Sequence, residues 1–104
     1  MSAVVVTAVF TPKAGKHQDL ADALTSTIPA VHEEQGCILY AIHAAPDERI
    51  VMIEKWASRE DLAAHDTSPS VQALRAAIDG LVEGDVDVQL LTPLPAGTAA
   101  QGTL

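Results

Sequence analysis

The fold of this chain is decided by residues 37–57, which read CILYAIHA-APDER-IVMIEKWA. Residues 37–44 and 50–57 are rich in branched and aromatic side chains, and the five residues between them have the composition of a hairpin connection. The two runs are therefore predicted to be neighbouring antiparallel strands. Strict alternation along the first run gives two apolar faces, with Ile38, Tyr40 and Ile42 on one and Cys37, Leu39 and Ala41 on the other.

The residues before this hairpin predict a strand and a helix. Residues 3–10 are β-branched and apolar on both alternating faces, which is typical of a strand covered on both sides. A helix is predicted from about Lys16 to Gly36, which stands where a C′ glycine belongs. Because Pro29 has no N–H for the carbonyl of Thr25, a kink or a break is expected there. The inward stripe of this helix is Leu20, Leu24, Ile28 and Val31.

The residues after the hairpin predict two helices and a last strand. Ser58 and Asp61 match a capping box, which starts a short helix from Arg59 to about His65. Ser68-Pro69 matches a second N-cap with proline at the first helical position, and this helix is expected to end near residues 80–84. Residues 86–90 alternate apolar and polar side chains, which predicts a strand with one wet face.

The order of predicted elements is β-α-β-β-α-α-β. It is typical of an α+β, ferredoxin-like split βαβ sandwich with an antiparallel sheet. We expect one domain over residues 1–92. Residues 93–104 are rich in Pro, Gly, Ala and Thr, so they are expected to form a flexible tail or an arm that clasps a partner.

Composition restricts the class of protein. The 104 residues contain 14 Asp+Glu against 6 Lys+Arg, a formal net charge of −8, and 48% of them are hydrophobic. This apolar content excludes a disordered acidic chain, and the negative charge argues against nucleic acid or an anionic membrane as partner. No targeting or transmembrane segment is evident, and the lone Cys37 cannot form an internal disulfide. A cytoplasmic location is expected.

Three of the four predicted strands are apolar on both faces, although helices can cover only one face of a four-stranded sheet. An open apolar face would exceed the few hundred Å² that monomers normally expose. The simplest solution is a second copy packed sheet to sheet, so a homodimer is predicted. Any ligand cavity is then expected between the sheet and the helices.

Glu54 and Trp56 are two residues apart and share one face of the predicted third strand. A carboxylate in line with apolar side chains is unusual, since burial of an unpaired charge is costly. Either Glu54 pairs with a cation or lies at the sheet margin and Trp56 is core, or Glu54 faces a pocket as a base or a ligand for a substrate hydroxyl. The pattern leaves both interpretations open.

His65 lies at the end of the short capped helix, nine residues after Trp56. It is either a helix C-terminal histidine, favoured there by the backbone dipole, or a pocket residue above the sheet. No cysteine pair, phosphate loop or nucleophile elbow occurs, and the sequence predicts no metal site.

Three motifs together resemble the antibiotic biosynthesis monooxygenase family. They are Glu34-Gln35-Gly36-Cys37-Ile38-Leu39-Tyr40, then Glu54-Lys55-Trp56-Ala57-Ser58, then His65 followed by Ser68-Pro69, and the resemblance covers about residues 3–92. It implies a dimeric α+β barrel. It also implies a cofactor-independent oxygenase of quinols or aromatic polyketides, although some similar proteins degrade haem or process small signalling sugars.

Carried over by position, the resemblance implies that Trp56 lines the substrate cavity, that His65 faces it and that Glu54 lies beside them. Thr7 falls where haem-degrading relatives use an Asn, and we include it among the substrate-binding positions. That departure, with a Trp-to-His interval one residue shorter than theirs, argues against haem degradation. The face that Tyr40 shares depends on a strand register that the pattern leaves open.

The leading hypothesis is a monooxygenase that needs no cofactor or metal and acts on a small electron-rich aromatic compound with O₂. His65 is then the first candidate base and Glu54 the second, with Trp56 and Tyr40 packing the ring. The alternatives are a dimeric ligand-binding or stress-response barrel without turnover, and a small-molecule isomerase on the same scaffold.

Overall fold

The computed structural model describes residues 3–104. These residues form four strands and three helices in the predicted order β-α-β-β-α-α-β. The elements are β1 (Val4–Phe10), α1 (His17–His32), β2 (Cys37–Ala44), β3 (Ile50–Trp56), α2 (Arg59–Asp66), α3 (Pro69–Ile78) and β4 (Asp87–Leu91).

The four strands make an antiparallel sheet in the order β2-β3-β1-β4. This is the ferredoxin-like arrangement, so the predicted fold class is confirmed. In the register, Val6 of β1 lies opposite Glu54 of β3 and Leu90 of β4. Tyr40 of β2 lies opposite Glu54 from the other side. Four strands thus bring side chains from distant parts of the sequence onto one row.

The core lies between the helices and one face of the sheet. Trp56 and Met52 of β3 are fully buried there, as are Leu20, Leu24 and Val31 of α1. Each such side chain contributes about 1.5–3 kcal/mol by leaving water. Residues of β1 and α3 belong to the same cluster: Val4, Val6, Ala8, Phe10, Leu74 and Ile78.

The alternation predicted for β2 is wrong at the start of the strand, where a β-bulge changes the face on which Cys37 lies. The register shifts between Cys37 and Leu39, so Cys37 lies opposite Trp56 while Tyr40 lies opposite Glu54. Residues directly opposite share a face, so Cys37 is on the face of Tyr40 and not on that of Leu39. The extra residue, Ile38, is 56% exposed.

The boundaries of α1 also differ from the prediction. The helix continues through Pro29 without a break and ends at His32, four residues before Gly36. The carbonyl that Pro29 leaves without a donor belongs to Thr25, an exposed residue, so water can satisfy it. Gly36 does adopt a left-handed conformation, with φ of 79°.

Both predicted N-caps are confirmed. The Ser58 hydroxyl accepts the Asp61 N–H at 3.1 Å at the start of α2, and the Ser68 hydroxyl accepts the Val71 N–H at 3.2 Å at the start of α3. These caps fix where the two short helices begin. In particular, they fix the orientation of α2, which carries the side chain of His65.

None of the three helices within residues 3–104 lies over the outer face of the sheet. This face carries half-buried apolar residues such as Leu39, Ala41, Val9, Val51 and Ile53. All five residues of β4 are exposed, so the face that was predicted to be covered is not buried, although Val88 and Leu90 lie opposite Ala8 and Val6 on the inner side of the sheet.

Residues 93–104 turn back on themselves and toward the sheet. The Ala96 N–H donates to the Gly102 carbonyl, and the Lys55 Nζ on β3 donates to the main-chain oxygen of Leu104. A role of this tail on a partner stays a prediction. Across residues 3–104, no helix combines the length and the apolar character that crossing a membrane requires.

Candidate active site

A cavity of about 250 Å³ lies between the sheet and the pair α2 and α3. Most of its wall is apolar and comes from the strands and from α3. The polar side chains that line it come from four elements: Tyr40 of β2, Glu54 of β3, His65 and Asp66 of α2, and Arg75 of α3. A mostly apolar wall with a few polar groups is typical of small-molecule sites. The apolar lining residues are Val6, Ala8, Phe10, Leu62, Val71, Leu74, Ile78, Val86, Val88 and Leu90.

Glu54 projects from the third strand into this cavity and is only 6% exposed. The Trp56 Nε1–H donates to its Oε1 at 2.9 Å, from the same face two residues along. No cation forms an ion pair with it among residues 3–104. Of the two interpretations of Glu54, the structure therefore favours a carboxyl group that faces a pocket.

His65 lies opposite Glu54, on the inner side of α2, and is 4% exposed. Its Nδ1 is 3.1 Å and 3.2 Å from the two carboxylate oxygens of Glu34. The Ser68 hydroxyl donates to Oε2 of the same carboxylate at 3.3 Å. The histidine is therefore held by a carboxylate that comes from the loop between α1 and β2.

The second ring nitrogen of His65, Nε2, is accessible from the cavity. Glu34 occupies Nδ1, and no buried side-chain nitrogen or oxygen in the described chain lacks a hydrogen-bond partner. Since His65 lines the cavity and no described protein atom bonds Nε2, this nitrogen must be reachable from the cavity. A ligand there can exchange a proton with it.

Three rings form a cluster at the polar end of the cavity. The Trp56 and His65 ring centroids are 4.6 Å apart with the planes tilted by 33°, and Tyr40 meets the His65 ring edge-on at 5.4 Å. These contacts restrict the rotation of the imidazole.

Burial raises the pKa of two groups in this cluster. Loss of water raises the pKa of the Glu54 carboxyl, although the Trp56 N–H and the nearby His65 act in the opposite direction. Burial, followed by the neighbouring Glu54 and Glu34, also raises the pKa of the Tyr40 hydroxyl far above its usual range. Tyr40 therefore stays a hydrogen-bond donor at neutral pH.

Three of the residues selected from the sequence line the cavity, namely Glu54, His65 and Tyr40. The other two, Trp56 and Thr7, do not. Trp56 is fully buried beneath Glu54 and His65, so it supports the site from behind. Thr7 lies on the outer face of the sheet, since its neighbours Val6 and Ala8 are the β1 residues that line the cavity. We therefore leave Thr7 out of the proposed site.

Glu34 was given no role from the sequence, although it stands at the start of the first motif. Its contact with His65 spans 31 residues of chain, so no local pattern announces it. Arg75 and Asp66 were missed because each is an exposed charged residue on a helix, which the sequence does not distinguish from an ordinary surface charge. Across residues 3–104, no group of three or more His, Cys, Asp or Glu side chains is arranged to hold a metal ion.

The comparisons with known proteins agree on one family. A family model described as antibiotic biosynthesis monooxygenase matches residues 3–77. Rv0793 of Mycobacterium tuberculosis, whose name assigns it provisionally to the monooxygenases, is 31% identical over 99 residues, which are 94% of this chain and 98% of its own. Its solved structure superposes with a TM-score of 0.84 over 93% of this chain and 100% of that chain.

A second relative carries a more specific name. The Escherichia coli K12 protein named probable quinol monooxygenase YgiN is 32% identical over 103 residues, covering 86% of this chain and 97% of its own length. A Caulobacter crescentus structure with 19% identity shares the fold, with a TM-score of 0.83 over 89% of this chain and 91% of that chain.

Proposed function

This chain belongs to the antibiotic biosynthesis monooxygenase family, and from that premise we propose that it oxidises a small electron-rich aromatic compound, such as a quinol, with O₂ and without a bound cofactor. The observation that carries the proposal is the polar end of an otherwise apolar cavity. A histidine nitrogen, a buried carboxyl group and a tyrosine hydroxyl meet there, at His65, Glu54 and Tyr40.

The overall reaction balances without an added reductant. A quinol and O₂ give a hydroxyquinone and water: one oxygen atom enters the ring, the other leaves as water, and all four electrons come from the substrate. Deprotonation of the quinol is the step in which the protein takes part, because a phenolate donates an electron to O₂ more readily than a phenol. The site therefore needs a base and a group that orients the anion.

The named residues divide these tasks. His65 accepts the phenolic proton at Nε2, the nitrogen that Glu34 leaves free. Tyr40, kept protonated by its raised pKa, donates a hydrogen bond to the developing phenolate. Glu54 is the second proton acceptor, with Trp56 fixing its carboxyl group from below. The apolar wall excludes water, which protects reactive intermediates.

The volume and shape of the cavity support a small ring as the ligand. Leu74 contributes to the wall and does not fill the space, and Met52 is buried in the core outside it. About 250 Å³ remains free, slightly below the usual range for drug-sized ligands. A filled cavity would have favoured the non-catalytic alternative.

The test is oxygen uptake by metal-free and flavin-free protein with a panel of quinols and anthrones. We expect uptake by the wild type, and a fall of about 100-fold or more in kcat for His65→Ala, since loss of a general base costs about 10²–10⁴-fold. His17→Ala removes a histidine outside the cavity and serves as the matched control.

Two outcomes would contradict the proposal. If the wild type consumes no oxygen with any substrate while the same compounds bind, the ligand-binding alternative replaces it. If His65→Ala retains the wild-type rate while its circular dichroism is unchanged, His65 is not the base.

A further inference from the structure

We infer that Glu34 is a positioning residue that holds the His65 imidazole with its proton on Nδ1, which leaves the lone pair of Nε2 directed into the cavity. The role in turnover rests on the function proposed above. The tautomer itself is a property of the resting protein and does not depend on that function.

The inference starts from the hydrogen-bonding chemistry of the pair. Both oxygens of Glu34 approach Nδ1 almost symmetrically, at 3.1 Å and 3.2 Å. An ionised carboxylate can only accept hydrogen bonds, so Nδ1 must be the donor. A neutral imidazole carries one N–H, and the nitrogen whose partner is fixed decides which one. Nε2 of His65 is therefore the unprotonated nitrogen when the ring is neutral.

Glu34 is itself held by three elements. Its N–H donates to the carbonyl of Val31 at the end of α1 (3.0 Å), and its carbonyl accepts from the Cys37 N–H at the start of β2 (3.2 Å). The Ser68 hydroxyl, which also caps α3, donates to Oε2. Because Glu34 is only 15% exposed, solvent screens this pair weakly.

The same contacts would also allow a purely structural role, in which Glu34 only ties the corner between α2 and α3 to the sheet. The two roles differ in what they predict for the imidazole. A purely structural contact affects stability and leaves both tautomers of His65 accessible, whereas a positioning carboxylate fixes one of them. The tautomer is therefore the deciding measurement.

The first experiment is ¹⁵N NMR of histidine-labelled full-length protein at a pH where the ring is neutral, with His65→Asn used for assignment. We expect the wild-type ring to carry its proton on Nδ1. Glu34→Leu, which offers Nδ1 no acceptor, should lose this preference. Glu33→Leu removes the adjacent exposed carboxylate and should keep it. A wild-type ring protonated on Nε2 overturns the inference, as does an unchanged tautomer in Glu34→Leu.

The second experiment uses a quinol that the wild type oxidises. Glu34→Leu should lower kcat by about tenfold or more while KM changes little, because orientation of the base matters in proton transfer and less in binding. Glu33→Leu should match the wild type. An unchanged kcat in Glu34→Leu, with the tautomer altered, overturns the positioning role. If no quinol is oxidised, the function proposed above fails, and the NMR result still decides the tautomer.

Discussion

At the scale of single residues, the most informative feature is an acid that the fold buries without a cation. Glu54 is 6% exposed, and within residues 3–104 its one hydrogen bond from a side chain comes from the neutral Trp56 N–H. A neutral donor compensates only part of the cost of desolvating a carboxylate. The stability of the fold is therefore expected to depend on pH. The same carboxyl group is also a proton acceptor inside the cavity.

A prediction about stability follows for Glu54→Gln. Burial raises the folded-state pKa above the ordinary value of 4.5, so the folded protein binds this proton more tightly than the unfolded chain does. The stability from this group is complete below the unfolded pKa and is lost as the pH rises through the folded pKa. The wild type should therefore lose stability relative to Glu54→Gln over that window, by at most about 1.4 kcal/mol per pH unit.

Urea unfolding between pH 4 and pH 8 measures this difference. The amide oxygen can still accept the Trp56 N–H, so the packing around it is kept. Glu60→Gln, which removes an exposed carboxylate from the same chain, controls for the change in net charge. Parallel stability curves for the wild type and Glu54→Gln would show that burial of Glu54 has no thermodynamic effect.

At the scale of elements, the geometry of the site depends on how α2 meets the start of β2. The Ala57 N–H donates to the Gly36 carbonyl at 2.8 Å, just before the cap of α2. Gly36 has φ of 79°, and a Cβ on it would clash with Oδ2 of Asp61 and lie 2.6 Å from Cβ of the same residue, which is in the first turn of that helix. A side chain at this position therefore has no room unless α2 moves.

Gly36→Ala should consequently destabilise the protein more than Gly80→Ala does. Both glycines have left-handed backbones, φ 79° and 80°, so both substitutions carry the steric penalty of about 1–2 kcal/mol. Only Gly36 faces another side chain, since a Cβ on Gly80 meets nothing within 4 Å. We expect an additional cost of at least about 1 kcal/mol from this clash.

The comparison is made by thermal or urea unfolding of the two variants under identical conditions. Since α2 carries His65, a shift of this helix should also disturb its contact with Glu34. Equal losses of stability in the two variants would mean that the junction between α2 and the start of β2 accommodates a methyl group without moving α2.

At the scale of the whole molecule, the feature that needs an explanation is the apolar outer face of the sheet. Helices cover the inner face, while apolar residues such as Val9, Leu39 and Ile53 remain half-buried on the other. An apolar surface of this kind normally marks an interface. A homodimer that packs two sheets face to face therefore stays our prediction for this chain, and the cavity on the helix side remains free in such an assembly.

Ile53→Glu tests this prediction. A carboxylate placed in the middle of a sheet–sheet interface would be buried without a partner, so we expect the dissociation constant of the dimer to rise by at least about tenfold. Ala73→Glu puts the same charge on the exposed side of α3 and should leave association unchanged. Sedimentation velocity at micromolar concentration measures both, and a monomeric wild type would contradict the argument.

The sequence alone determined the order of the elements, the caps of α2 and α3, the antiparallel hairpin and the side of the sheet on which a cavity would lie. These features depend on local chemistry: alternation of apolar residues, capping hydroxyls and turn composition act over a few residues. Glu54 could be singled out because a carboxylate inside an apolar strand pattern is visible without coordinates. His65 was selected from its place at the end of the capped helix and from the family resemblance.

Only the tertiary structure decided which groups meet. Contact between His65 and Glu34 spans 31 residues, and the bulge that places Cys37 on the face of Tyr40 inserts one extra residue that a period-two pattern cannot show. Thr7 was included because it falls where haem-degrading relatives use an Asn, and a strand that is apolar on both faces does not reveal which face is inner. Pairing across strands and packing of helices on them set these distances, and both depend on the whole chain.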